Sequence, residues 1–226
     1  MSDFEKIVQL ITTNSFYDKT EENFVIDRSV FDQLEIFLNE LTIPSDDLLS
    51  NEIDYLSPIL TFLLEHQILE LNLRLFESKT KSFKPKLISF EQNIKQSEQL
   101  LDLLFKYFHR LKLDEFLILN QNSQPIYRHC LVRLIPFLSK TTYQQHSPAL
   151  HVFILIIQSL SLTSLTECFD MIFPICLITL DDPSIDFKLI SFSLLDQLES
   201  QLTTTELLLY NRANVILYDR REETKL

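Results

Sequence analysis

The side chains able to do chemistry are few and scattered. The five histidines, His66, His109, His129, His146 and His151, share no motif. His146 and His151 stand five residues apart, off one helical face, with Pro148 between them. Neither HExxH nor CxxC occurs, so no set of metal ligands has the spacing that coordination needs. His129-Cys130 comes nearest, but neighbouring residues of a helix diverge by about 100°. Acid–base work needs carboxylates converging on a pocket. The best-placed pair, Asp181-Asp182, stands before Pro183 and reads as the capping of a helix corner. Cys130, Cys168 and Cys176 are an odd number without framework spacing, which points to buried thiols in a reducing compartment. On one helix, Cys168 and Cys176 would lie about 12 Å apart along the axis, beyond disulfide reach.

Glycine is absent from all 226 residues. P-loops, GxGxxG turns and GxSxG elbows all need backbone that only glycine adopts at low cost, so those chemistries drop out together. Type I′ and II′ hairpins and glycine-ended helices are disfavoured for the same reason. The expectation is a chain without catalytic, metal or cofactor sites, turning its corners with Asp, Asn, Ser and Pro. Eighteen phenylalanines and no tryptophan read as core rather than as a cofactor box. A net charge of −12 argues against a nucleic-acid partner. The one basic stretch, KTKSFKPK with Lys79, Lys81, Lys84 and Lys86, reads as a solvated loop over 79–88; the sharper reading is an acidic or phosphate contact. The charge-free run 141–166 leaves about fourteen apolar-rich residues, short of the roughly twenty that cross a bilayer. With no basic leader before an apolar segment, the chain is expected to be soluble and intracellular.

The elements follow from apolar periodicity. A first helix runs from a Ser2 or Asp3 cap to Thr12, with Phe4, Ile7, Val8 and Ile11 on one face. After a polar loop at Asn14–Asn23, a second stripe runs Val30, Phe31, Leu34, Phe37, Leu38, Leu41, ending before a break at Pro44–Asp47. Asn51–Glu77 reads as a helical pair or one long bent helix, with Ile53, Leu56, Ile59, Leu60, Leu63 and Leu64 as its first stripe. Ser89 and Gln92 are spaced as a capping box opening a helix through Leu111. Short elements follow at Asp114–Asn120 and Ile126–Leu138. Ser147-Pro148 then caps an apolar helix over Ala149–Leu162. Ser164 with Glu167, and Thr203 with Glu206, repeat the capping-box spacing, the latter before a last helix at Thr205–Asp219.

Residues 168–200 form the clearest unit, two antiparallel helices joined by a tight corner. Pro174 lies inside the first helix, Asp182 can cap the second, Pro183 suits its first turn, and Lys188 follows early. Ile185, Leu189, Phe192, Leu195 and Leu198 make one apolar stripe. This is the pattern of a HEAT repeat, a unit that cannot bury its own stripe and so implies neighbours. Pro58, Pro136 and Pro174 stand 78 and 38 residues apart in similar apolar frames, and a fourth member of the series would fall near Ser97. The implied period of about 38–39 approaches the roughly 40–47 of HEAT and armadillo repeats, with a tolerated kink at each proline. The expected fold is all-α: a right-handed, HEAT/armadillo-like α-solenoid of about five helical pairs, continuous over 1–226.

IFPICLITLDDPSIDFKLISFSLLDQL at 172–198 and, less closely, YNRANVILYD at 210–219 resemble the TELO-two-interacting protein two family, a subunit of the Triple T complex. The matching features are Pro174, Leu180-Asp181-Asp182, Lys188 and the segment Asn211–Val215. Ile190-Ser191 departs from the family, which often has glycine there, and members usually continue beyond the point matching Leu226. The resemblance covers about fifty residues; the first 140 match only in being helical and apolar. It implies a non-enzymatic adaptor and co-chaperone in the maturation of phosphatidylinositol-3-kinase-related kinases. Its partners would be those kinases, the other Triple T subunits and the heat-shock-protein-ninety machinery, with no nucleic acid or membrane partner. The cytoplasm, with the nucleus as a second location, is the implied compartment. The alternative is a HEAT-type adaptor of trafficking, nuclear transport or phosphatase complexes. From another class, a small helical hydrolase would need a pocket of convergent polar groups. Leu207–Leu209 and Val215–Tyr218 crowd apolar surface near the end of the chain, so Leu208, Arg212, Ile216 and Tyr218 are the expected partner-binding residues.

Overall fold

The computed structural model describes residues 3–14, 29–40, 56–67, 87–110, 112–121, 124–144 and 146–201. The expected loops at Asn14–Asn23 and Pro44–Asp47, the second half of the Asn51–Glu77 pair, the KTKSFKPK stretch and the last helix lie outside the described residues, except Asn14, which ends the first helix. Leu208, Arg212, Ile216 and Tyr218 lie outside them as well. The described chain is mostly helical, and it divides into two compact units, Met1–Ser159 and Leu160–Leu226.

The first unit holds α1 (Asp3–Asn14), α2 (Ser29–Glu40), α3 (Leu56–Gln67), α4 (Leu87–Tyr107), α5 (Leu113–Leu117), α6 (Ile126–Leu134) and α7 (Ser147–Gln158). The expected stripe of α2 is the buried one: Val30, Phe31, Leu34, Phe37 and Leu38. α3 departs from a one-sided reading, because every residue from Leu56 to His66 is buried. The cause is its place, packed against α1, α4, α6 and α7 at once. A helix covered on several sides must bury its polar side chains too, and α3 satisfies Thr61 by turning its hydroxyl onto the carbonyls of Ser57 and Pro58 at 2.9 and 3.1 Å.

α4 opens at Leu87, so the last two residues of the expected 79–88 loop and Ser89 of the expected capping box are already helical. Its far end shows how a chain without glycine stops a helix. His109 takes φ of 53°, while its N–H donates to the Lys106 carbonyl at 3.1 Å and that of Arg110 to the Phe105 carbonyl at 2.8 Å. Those two bonds are the Schellman closure, with histidine where glycine is usual. After α5, two-residue strands β1 (Asn120–Gln121) and β2 (Gln124–Pro125) pair antiparallel, a small departure from the wholly helical expectation. α6 tightens into a 3-10 turn at Ile135–Phe137, where Pro136 stands. α7 begins at Ser147 itself, with His146 at the capping position and Pro148 in the first turn.

The second unit holds α8 (Leu162–Glu167), α9 (Phe169–Leu180) and α10 (Ile185–Gln201). Ser161, not Ser164, caps α8: its hydroxyl accepts from the Ser164 N–H at 3.4 Å. Ser164 and Glu167 both fall inside that helix, so the expected capping box lies three residues too late. The run of Ser and Thr at 161–166 offers several oxygens, and spacing alone does not choose among them.

The three prolines of the apparent period occupy different positions. Pro58 stands in the first turn of α3, where its missing N–H costs no helical bond; Pro136 stands in a terminal 3-10 turn; Pro174 is interior to α9. Only the last removes an interior hydrogen bond, so their shared apolar frame does not mark one recurring kink. Ser97, where the series lacked a member, is buried in α4 and donates to the Ile94 carbonyl at 2.8 Å.

Candidate functional site

The corner between α9 and α10 is built from Asp181 to Ser184. The Asp182 carboxylate is buried and accepts from the Ser184 N–H at 2.6 Å, holding one of the donors that a helix start leaves open. Pro183 is exposed and precedes α10 by two residues instead of entering its first turn. Its fixed φ still limits the corner, since the residue before a proline is driven to extended backbone. Asp181 and Lys188 are exposed, and Pro174 is exposed on α9. Asp170, whose carbonyl loses its usual i+4 donor to Pro174, is exposed too.

The two helices meet along a seam with a polar strip at its centre. Ser191 is fully buried; its hydroxyl donates to the Cys176 carbonyl of α9 at 3.0 Å and also pairs with the Thr179 hydroxyl. Thr179 in turn lies 2.9 Å from the Ile175 carbonyl. The small side chain of Ser191 lets α10 approach α9 closely, and its hydroxyl finds partners at that approach. Cys176 is buried in the same seam, and burial pushes its thiol up to about 12. Cys130, in α6 of the first unit, is likewise pushed up to about 12 by burial, against the pull of the Arg133 charge. All three cysteines are buried, and thiols held protonated as those of Cys130 and Cys176 are make poor nucleophiles.

The expected stripe of α10 packs only in part, at Leu195 and Leu198. Phe187, Ser191, Leu194, Leu195 and Leu198 are buried, whereas Ile185 is 72% and Leu189 60% exposed, with Phe192 half-buried beside them. At 100° per residue, the buried set and the Ile185–Leu189–Phe192 set lie on nearly opposite sides of the helix. Both sets show helical spacing, so periodicity could not choose between them. The small Ser191 amid large apolar residues was the available signal. Ile185 and Leu189 are the most exposed large apolar side chains among the described residues.

Among the described residues, no three His, Cys, Asp or Glu side chains gather as a metal site, and no helix is long and apolar enough to cross a membrane. No family model matches the chain, and neither a curated protein nor a solved structure matches it.

Proposed function

We propose that this chain is a non-enzymatic helical-repeat scaffold, an α-solenoid whose helices present apolar faces to protein partners. The observation that carries the reading is the second apolar face of α10. A helix that buries one face within its own pair and keeps Ile185 and Leu189 outward has what a stacked array uses, one face for its pair and one for what comes next. Buried, protonated thiols at Cys130 and Cys176 fit a packing role.

The resemblance of 172–198 narrows the proposal to a Triple T adaptor and co-chaperone. In that role it supports the maturation of phosphatidylinositol-3-kinase-related kinases together with the heat-shock-protein-ninety machinery, in the cytoplasm and nucleus. The test is reconstitution: the full chain is co-expressed with the other Triple T subunits and resolved by size exclusion. The proposal expects one co-eluting complex, weakened when Ile185 and Leu189 are both changed to Asp. Separate elution of a folded chain overturns the Triple T assignment.

A further inference from the structure

A groove of about 300 Å³ runs between α2 and α4, lined by Phe31, Glu35 and Asn39 on one side and Gln96, Gln99, Leu100 and Leu103 on the other. Its floor is apolar: Phe31 and Leu100 are buried and Leu103 half-buried. The Phe31 ring is fixed from within by its neighbours, its centroid 5.6 Å from Phe62 and 4.9 Å from His66. The rim is polar and unspent. Glu35, Gln96 and Gln99 make no side-chain hydrogen bond or ion pair, while Asn39 gives its Nδ2 to the Glu35 carbonyl at 3.0 Å and keeps its side-chain oxygen. One carboxylate and three amide oxygens therefore stand as acceptors around an apolar floor.

We infer that this groove takes the side chain of an arginine presented by a protein partner. The size is at the low end of small-molecule pockets, roughly 300–1,000 Å³, and suits one long side chain better than a packed helix. The charge selects a cation, since Glu35 is the only charged residue of the lining among the described residues. α2 carries Asp32, Glu35 and Glu40 and no basic residue, and the whole chain carries −12. The shape of the chemistry selects arginine. Its planar fork of five N–H donors matches one carboxylate flanked by amide oxygens, and its three-carbon stem can lie on Phe31, Leu100 and Leu103. The inference rests on the scaffold reading only in making the ligand part of a protein; it is independent of the Triple T assignment.

The test uses the full chain and a small probe, so its failure is distinct from failure of the reconstitution above. Amide spectra of the isotope-labelled protein are followed while N-acetyl-arginine amide is added at fixed ionic strength. N-acetyl-lysine amide, N-acetyl-norleucine amide and N-acetyl-glutamate amide serve as comparators. The expected result is saturable shifts of the Asn39, Gln96 and Gln99 side-chain amides with the arginine probe, tighter than with lysine and absent with glutamate. Glu35→Gln is expected to weaken the arginine probe about tenfold, as loss of one charge-assisted pair does. Asp32→Asn, on the same helix but outside the lining, is expected to change it far less. Both positions are exposed, and the spectra themselves report whether each variant is folded. No saturable shift at the groove, equal binding of norleucine or lysine, or an equal loss in Asp32→Asn overturns the inference.

Discussion

His66 is the residue whose burial has the clearest consequence. It is enclosed in α3 between the rings of Phe31 and Phe62, the latter centroid 4.5 Å away, and burial lowers its pKa from 6.5 to about 3. The unfolded chain takes up a proton near pH 6.5, whereas the folded chain refuses it until about pH 3. Stability from this site is therefore complete above pH 6.5 and falls as the pH drops towards 3, by about 1.4 kcal/mol per pH unit. Urea titrations at pH 7.5, 5.5 and 4.5 should show that slope, and His66→Phe should remove it while the slope from carboxylates persists. An unchanged slope in the variant would place the acid sensitivity elsewhere. His109 invites the opposite kind of test. Its φ of 53° is costly for a residue with a Cβ, so His109→Gly should raise stability by about 1 kcal/mol. A lower denaturation midpoint in that variant would mean that the imidazole contributes more than the backbone loses.

At the scale of elements, the seam between α9 and α10 separates the two readings of α10. Leu194 is fully buried and Leu189 is mostly exposed, although both are leucines on one helix. Leu194→Ala should cost about 2–5 kcal/mol, while Leu189→Ala should change stability by less than about 0.5 kcal/mol. Thermal unfolding of the two variants decides it, and comparable losses would restore the stripe read from the sequence. That stripe illustrates what was legible. In α2 the apolar residues other than the exposed Ile36 share one side, and the sequence named its buried residues correctly. In α10 two sides are apolar, and the choice depends on which one α9 meets, a tertiary fact absent from local spacing. The burial of α3 on all sides has the same origin: it comes from neighbouring helices that no window around Leu56–Gln67 contains. Caps fared in proportion to competition. Asp182 was readable, while the α8 start was ambiguous among the Ser and Thr residues of 161–166. The groove between α2 and α4 could not be read at all, because Glu35 and Gln99 come to line one groove only through packing.

For the whole molecule, the division into Met1–Ser159 and Leu160–Leu226 makes a claim about cooperativity. Each unit contains a thiol that is dark to reagents while folded: Cys130 in the first and Cys176 in the second, both pushed up to about 12 by burial. A thiol so protonated reacts only after opening brings it back to its ordinary value, so its labelling rate measures the opening of its surroundings. If the units open separately, Leu194→Ala should loosen the second and leave the first nearly untouched. A loss of about 2–5 kcal/mol corresponds to labelling of Cys176 accelerated roughly thirtyfold or more, at about 1.4 kcal/mol per factor of ten. Cys130 should keep the wild-type rate within about twofold, as energetically independent sites do. The comparison is made by quenched alkylation and peptide mass analysis in native buffer, with Cys168, also buried in the second unit, as an internal control that should follow Cys176. Equal acceleration of Cys130 and Cys176 would show that the chain opens as one cooperative block.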